Sequence, residues 1–146
     1  MGNAFSWGDD MMPMVTKAGG ATLGVVDTCK VPTPPLGTPT PTPFACAGQM
    51  PMAQLGSPKV LVQNMETVTV MSKIPLSSGN EAGVLGGVVS GVNVGEIGFP
   101  LGSSKVLAEG KAVIYVTAPA AHNGSNANQP AGLVVAPGQA MVLVSP

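Results

Sequence analysis

Cys29, Cys46 and His122 are the side chains of this 146-residue sequence best suited to chemistry. Thiolate and imidazole are preferred zinc donors, and a small β unit gains stability from a metal staple. Three ligands fall one short of a closed structural zinc site, and their spacing is not a Cys-x-x-Cys knuckle. Two other readings stay open. One is a pair of free buried thiols with a surface histidine; the other is a Cys29–Cys46 disulfide, which is disfavoured where no secretory signal is read. A Cys–His nucleophile pair would use the same residues, but nothing supplies an orienting third group. The acids, Asp9, Asp10, Asp27, Glu66, Glu81, Glu96 and Glu109, fall mostly in predicted turns or the N-terminal arm, where a solvated carboxylate is expected. There is no Gly-x-Ser-x-Gly elbow and no phosphate loop ending in Gly-Lys-Ser/Thr. The expectation is a non-enzymatic protein. Asn123-Gly124-Ser125 fits a glycosylation acceptor and equally a plain polar turn, which is preferred. Met1-Gly2-Asn3-Ala4-Phe5-Ser6 fits the loose myristoylation pattern, a match short enough to arise by chance.

The elements that must hold these residues are strands. The sequence has 20 Gly and 15 Pro, which rules out a helix bundle and favours short strands joined by turns. Hydrophobic residues reach 45% while charged residues stay at 9%, the reverse of a disordered chain. At this length the expectation is one domain, residues 1–146. The net charge of −1 lacks the basic footprint of a nucleic-acid binder. So little charge suits a protein docked on a partner, and no apolar run is long enough for stable membrane insertion.

Residues 1–28 read as a leading arm in which 23–26 form a first short strand. From 31 to 44, prolines at positions 32, 34, 35, 39, 41 and 43 impose an extended chain that cannot be a central strand. It reads equally as a stiff linker or as an ordered strap on a compact body. A hairpin follows: Ser57-Pro58-Lys59-Val60-Leu61-Val62, a polar turn at Gln63-Asn64, then 65–71. A second copy starts at Ser103-Ser104-Lys105-Val106-Leu107-Ala108, turns at Glu109-Gly110 and returns through 111–117. A final pair of strands is expected at 132–136 and 140–144, turned by Pro137-Gly138. The intervening 77–98 is rich in glycine, with room for one helical turn after Ser78 and otherwise a tightly bent connection. It lacks the Gly-x-Gly-x-x-Gly spacing of a dinucleotide loop.

Taken in order, these motifs resemble the PAAR-like family of spike-tip proteins. The resemblance rests on Cys29-Lys30-Val31-Pro32-Thr33-Pro34-Pro35 leading to Pro41-Thr42-Pro43-Phe44, and on the hairpin Lys59-Val60-Leu61-Val62. It continues through Ser78-Gly79-Asn80-Glu81-Ala82-Gly83, Gly86-Gly87-Val88-Val89-Ser90-Gly91, the second hairpin from Lys105 to Lys111, and His122-Asn123. It covers about residues 25–125, leaving 1–24 as the arm ahead of it. The resemblance implies an all-β, small conical structure of short hairpins with an extended proline-rich strap. It implies a structural tip that caps and sharpens a trimeric valine-glycine repeat spike of type VI secretion or a related contractile injection system. One copy would sit on the three-fold partner, and effector proteins are a further expected cargo. In the parent family a metal held by histidines and a cysteine pins the apex. Here His122 alone remains of the histidines, so Cys29, Cys46 and His122 become a substitute ligand set for zinc. Toxic activity in the family resides in appended domains. The expected location is the bacterial cytoplasm until firing, then outside the cell with the spike. Two other classes remain, a phage-type tail or baseplate spike protein and a small metal-dependent hydrolase.

Overall fold

The structure, a computed structural model, describes residues 11–35 and 37–146. The myristoylation pattern at 1–6 and the acids Asp9 and Asp10 lie outside the described residues. Those described form an all-β protein with no α-helix, as the composition predicts. The strands are β1 (Met12–Pro13), β2 (Ala21–Thr33), β3 (Thr38–Gln49), β4 (Ser57–Val62), β5 (Met65–Thr67) and β6 (Lys73–Ile74). They continue as β7 (Ile97–Gly98), β8 (Leu107–Ala108), β9 (Lys111–Ala112), β10 (Pro119–His122), β11 (Gln129–Ala136) and β12 (Leu143–Val144). A single 3₁₀ turn spans Met50–Met52.

One antiparallel sheet runs in the order β3-β2-β11-β10-β7-β6, and three two-stranded sheets, β4-β5, β8-β9 and β1-β12, complete the set. The proline-rich stretch is ordered and extended rather than a linker, forming the outer half of the long β2–β3 hairpin. Its prolines fit because β3 is the sheet's edge strand. The outward groups of Thr28 and Lys30 in β2 are taken by the 83–92 loop: Val88 N–H donates to Thr28, and Leu85 N–H to Lys30. Thr28, Lys30 and Pro32 face Pro43, Pro41 and Pro39, so these prolines occupy the alternate positions whose nitrogens point off the sheet edge.

Both expected hairpins form. Their two-residue turns have positive φ throughout (Gln63 51°, Asn64 63°; Glu109 51°, Gly110 78°), the type I′ pattern that matches strand twist. Segments 132–136 and 140–144 are extended as expected, but they do not pair with each other. β11 lies between β2 and β10, while β12 crosses the molecule to pair with β1. The leading segment is likewise no mere arm: β1 is paired and Val15 is wholly buried. No helical turn forms after Ser78. Glu81 folds back there, accepting from Ser78 Oγ and Gly79 N–H, both at 2.8 Å.

Two core clusters result. The larger joins Val15, Val68 and Ile114 to Met50, Ile74, Ile97 and Phe99. The smaller holds Met14, Val62, Ala108, Val113 and Val144. Each fully buried aliphatic side chain contributes roughly 1.5–3 kcal/mol. With few aromatics, the core depends on these branched residues being brought together from the whole chain.

Candidate functional site

Chemistry-bearing side chains converge on Asp27, in the middle of β2. A register shift between Gly24 and Asp27 turns this carboxylate inward, and it is 0% exposed. This corrects the expectation of a solvated acid. Cys46 Sγ donates to Oδ2 at 3.0 Å and Cys29 Sγ to Oδ1 at 3.7 Å. Asn80 Nδ2 donates to Oδ2 at 2.6 Å and Asn123 Nδ2 to Oδ1 at 3.3 Å, and Asn128 Nδ2 also donates to Oδ1. Asn128 reaches further, to the Thr28 carbonyl and the Val89 N–H, tying three segments together. Burial by itself would raise the Asp27 pKa. Donation from Asn128, Cys46, Asn123 and Asn80 outweighs it and holds the carboxyl below its ordinary range, so a buried anion persists at neutral pH.

The same anion holds both thiols protonated. Burial first, then the Asp27 charge, pushes Cys29 up to about 11, and burial with the hydrogen bond to Asp27 raises Cys46 still more. Both cysteines are free and buried. His122 is not on the surface. It is wholly buried, and burial lowers it to about 4 against the pull of Asp27. Its imidazole lies on the Gly24 and Gly132 backbones: a Cβ on Gly132 would sit 2.6 Å from His122 Cδ2 and one on Gly24 3.2 Å from Cγ. Neither ring nitrogen has a hydrogen-bond partner among the described residues.

A zinc ion shared by Cys29, Cys46 and His122 needs three donors aimed at one point. Among the described residues no group of three His, Cys, Asp or Glu side chains is so gathered. The thiols point at a carboxylate that already collects five donors, and His122 packs against glycine. These residues do not fit the ion. Asn80, Asn123 and Asn128, absent from the ligand reasoning, do the gathering instead. All three lie in the turns that the Ser-Gly-Asn-Glu and His-Asn motifs mark.

The second feature is the base formed by the three small sheets. Val15 N–H donates to the Ile114 carbonyl (2.8 Å), Ile114 N–H to Val68 (3.0 Å) and Val68 N–H to Val15 (3.1 Å), a closed ring of three bonds. Two residues on, Lys17 N–H donates to Glu66 (2.9 Å), Val70 to Ala112 (3.0 Å) and Val116 to Pro13 (3.0 Å), a second threefold set whose donors run in the opposite sense. The isolated bridges Met14–Tyr115, Thr67–Thr16 and Val113–Thr69 obey the same permutation. So do the registers Met65–Val62, Lys111–Ala108 and Met12–Val144. The hairpin therefore occurs three times about a pseudo-threefold axis, the third copy being assembled from the two ends of the described chain. The sequence signal for it was present: Val142-Leu143-Val144 repeats Val60-Leu61-Val62 and matches Val106-Leu107-Ala108. A hairpin search limited to contiguous strands passes over it.

One cleft of about 460 Å³ is lined by Ala47, Met52, Leu76 and Val94 with Glu81 at its side; Cys29, Cys46 and His122 do not line it. Among the described residues no helix is long and apolar enough to cross a membrane. No curated protein and no solved structure matches the chain. The family profile of the toxin PAAR-like domain matches residues 20–129, most of the sequence and all of the Asp27 cage. The chain therefore belongs to the toxin PAAR-like domain family.

Proposed function

We propose that this protein is the tip of a contractile injection spike. One copy caps the end of a trimeric valine-glycine repeat protein of a type VI secretion system or a related machine. The observation that carries this reading is the closed ring through Val15, Ile114 and Val68. A single chain has no internal need to repeat one hairpin three times about an axis, whereas a lone cap on a homotrimer must offer each partner chain the same contact. Family membership supports the same reading. The role is mechanical, without catalysis: the cap covers strand edges that a β-structured trimer end would otherwise leave open to pairing. The protein waits in the bacterial cytoplasm and leaves with the spike, with effectors attached where the system uses them.

The test is stoichiometry. Purified protein mixed with its cognate spike trimer should co-elute on size exclusion, and light scattering should give one chain per trimer. Separate elution at micromolar concentrations would end the reading.

A further inference from the structure

The three hairpins of the base each leave one strand edge uncovered. β4-β5, β8-β9 and β1-β12 are separate two-stranded sheets, so β4, β8 and β12 have a ladder partner on one side only. The carbonyls of Glu66, Ala112 and Pro13 on the inner strands are spent on the ring. Across the hairpins these three residues face Leu61, Leu107 and Leu143. In an antiparallel ladder both backbone groups of a residue point the same way, and directly opposed residues turn either toward or away from each other. Glu66, Ala112 and Pro13 turn toward the ring, away from their partners. The N–H and C=O of the three leucines therefore point outward.

Beside the leucines, the outward donors are already capped. Lys59 N–H donates to Glu109, Lys105 N–H to Ser103 Oγ (3.2 Å) and Met141 N–H to Gln139 Oε1 (2.7 Å). Beyond their own ladders, no hydrogen bond among the described residues engages Leu61, Leu107 or Leu143. The three leucines are also 48%, 61% and 44% exposed, while the next residues, Val62, Ala108 and Val144, are buried.

We infer that these three edges are the docking contacts, each adding one short β-bridge to a strand of one chain of a homotrimer. The inference rests on the capping reading and names its contact. The choice of occupant follows from what is equivalent here. Three identical chains present three identical groups, but the flanking side chains differ (Lys59, Lys105 and Met141; Glu66, Ala112 and Pro13). All three edges share the backbone register, the leucine and the valine before it. A contact that must be made three times over runs through main-chain bonds, with an apolar side chain filling alternate pockets. The contrast with β3 is instructive: there Pro39, Pro41 and Pro43 remove the outward donors, while the base edges keep theirs.

The experiment uses the full chain and its cognate spike trimer. Leu61→Pro with Leu107→Pro removes two outward N–H groups and no internal bond, so far-UV circular dichroism and Tm should hold while the trimer Kd rises at least tenfold. Leu61→Ala with Leu107→Ala keeps the backbone and should weaken binding only a few-fold. If the proline variant does not fold, amide exchange on the wild type decides: Leu61, Leu107 and Leu143 should exchange freely alone and at least tenfold more slowly in complex. A folded proline variant that binds as well as wild type, or three amides unprotected in a stable complex, overturns the edge contact and leaves capping intact. Wild-type protein that ignores the trimer fails both. Dimers of the free protein that the prolines abolish would assign the edges to a second copy and overturn the inference.

Discussion

Asp27 is the residue on which the upper part of the molecule converges, and its chemistry predicts how that part fails. Donors from β2, β3, the 78–83 turn and the 123–128 turn all end on its two oxygens. Asp27→Asn keeps the shape but replaces one acceptor oxygen with a donor facing other donors. The expected loss is about 3–5 kcal/mol, the range for breaking a buried charged network, read as a fall in Tm. Because the thiols are engaged as donors to this anion, dialysis against a chelator should leave the wild-type Tm unchanged and elemental analysis should find less than one metal per chain. A stoichiometric metal, with Tm falling on its removal, would refute the cage as the pin. His122 sets the pH response. Its folded pKa of about 4 lies below the ordinary value of 6.5. Its contribution is thus complete above pH 6.5 and is lost as pH falls toward 4, because in that window only the unfolded chain takes the proton. The loss is on the order of 3 kcal/mol. Thermal melts should weaken steadily from pH 7 to 4.5, and His122→Gln should flatten that slope even if its Tm is lower throughout.

At the scale of elements, β3 carries the argument. Proline at every second residue made an extended chain certain, and the sheet order explains how so many prolines are tolerated: their missing donors all face away from β2. Such an edge cannot template further pairing. Pro39→Thr, Pro41→Thr and Pro43→Thr together should leave the β2–β3 ladder intact yet give the edge three free donors. The variant is expected to be folded at low concentration and to self-associate at concentrations where the wild type stays monomeric, measured by light scattering. Monomeric behaviour at both concentrations would show that the prolines serve only to stiffen the ribbon. The element-level expectations for the two contiguous hairpins came from turn chemistry and alternation, which are local. The one that went astray, the pairing of 132–136 with 140–144, concerned segments whose partners lie far along the chain.

For the whole molecule, the legible part was everything that neighbouring residues dictate. Glycine, proline and valine content fixed an all-β chain; Gln63-Asn64 and Glu109-Gly110 fixed two hairpins; the ordered motifs pointed to the PAAR-like family. Cys29, Cys46 and His122 are all buried in the same half of the structure, but residue type alone could not say that an aspartate and three asparagines would claim the thiols. Hydrogen bonding at that site depends on orientation within a fraction of an ångström, and orientation comes from packing. The threefold ring was likewise out of reach, because its third hairpin joins residues 12–13 to 143–144, and no local rule links positions so far apart. The sequence by itself determined the strands, the turns and the repeated hairpin, since backbone propensity acts between neighbours. Only the tertiary structure decided that Asp27 is a buried anion and that the base has three equivalent edges, since burial and ring closure belong to the assembled chain.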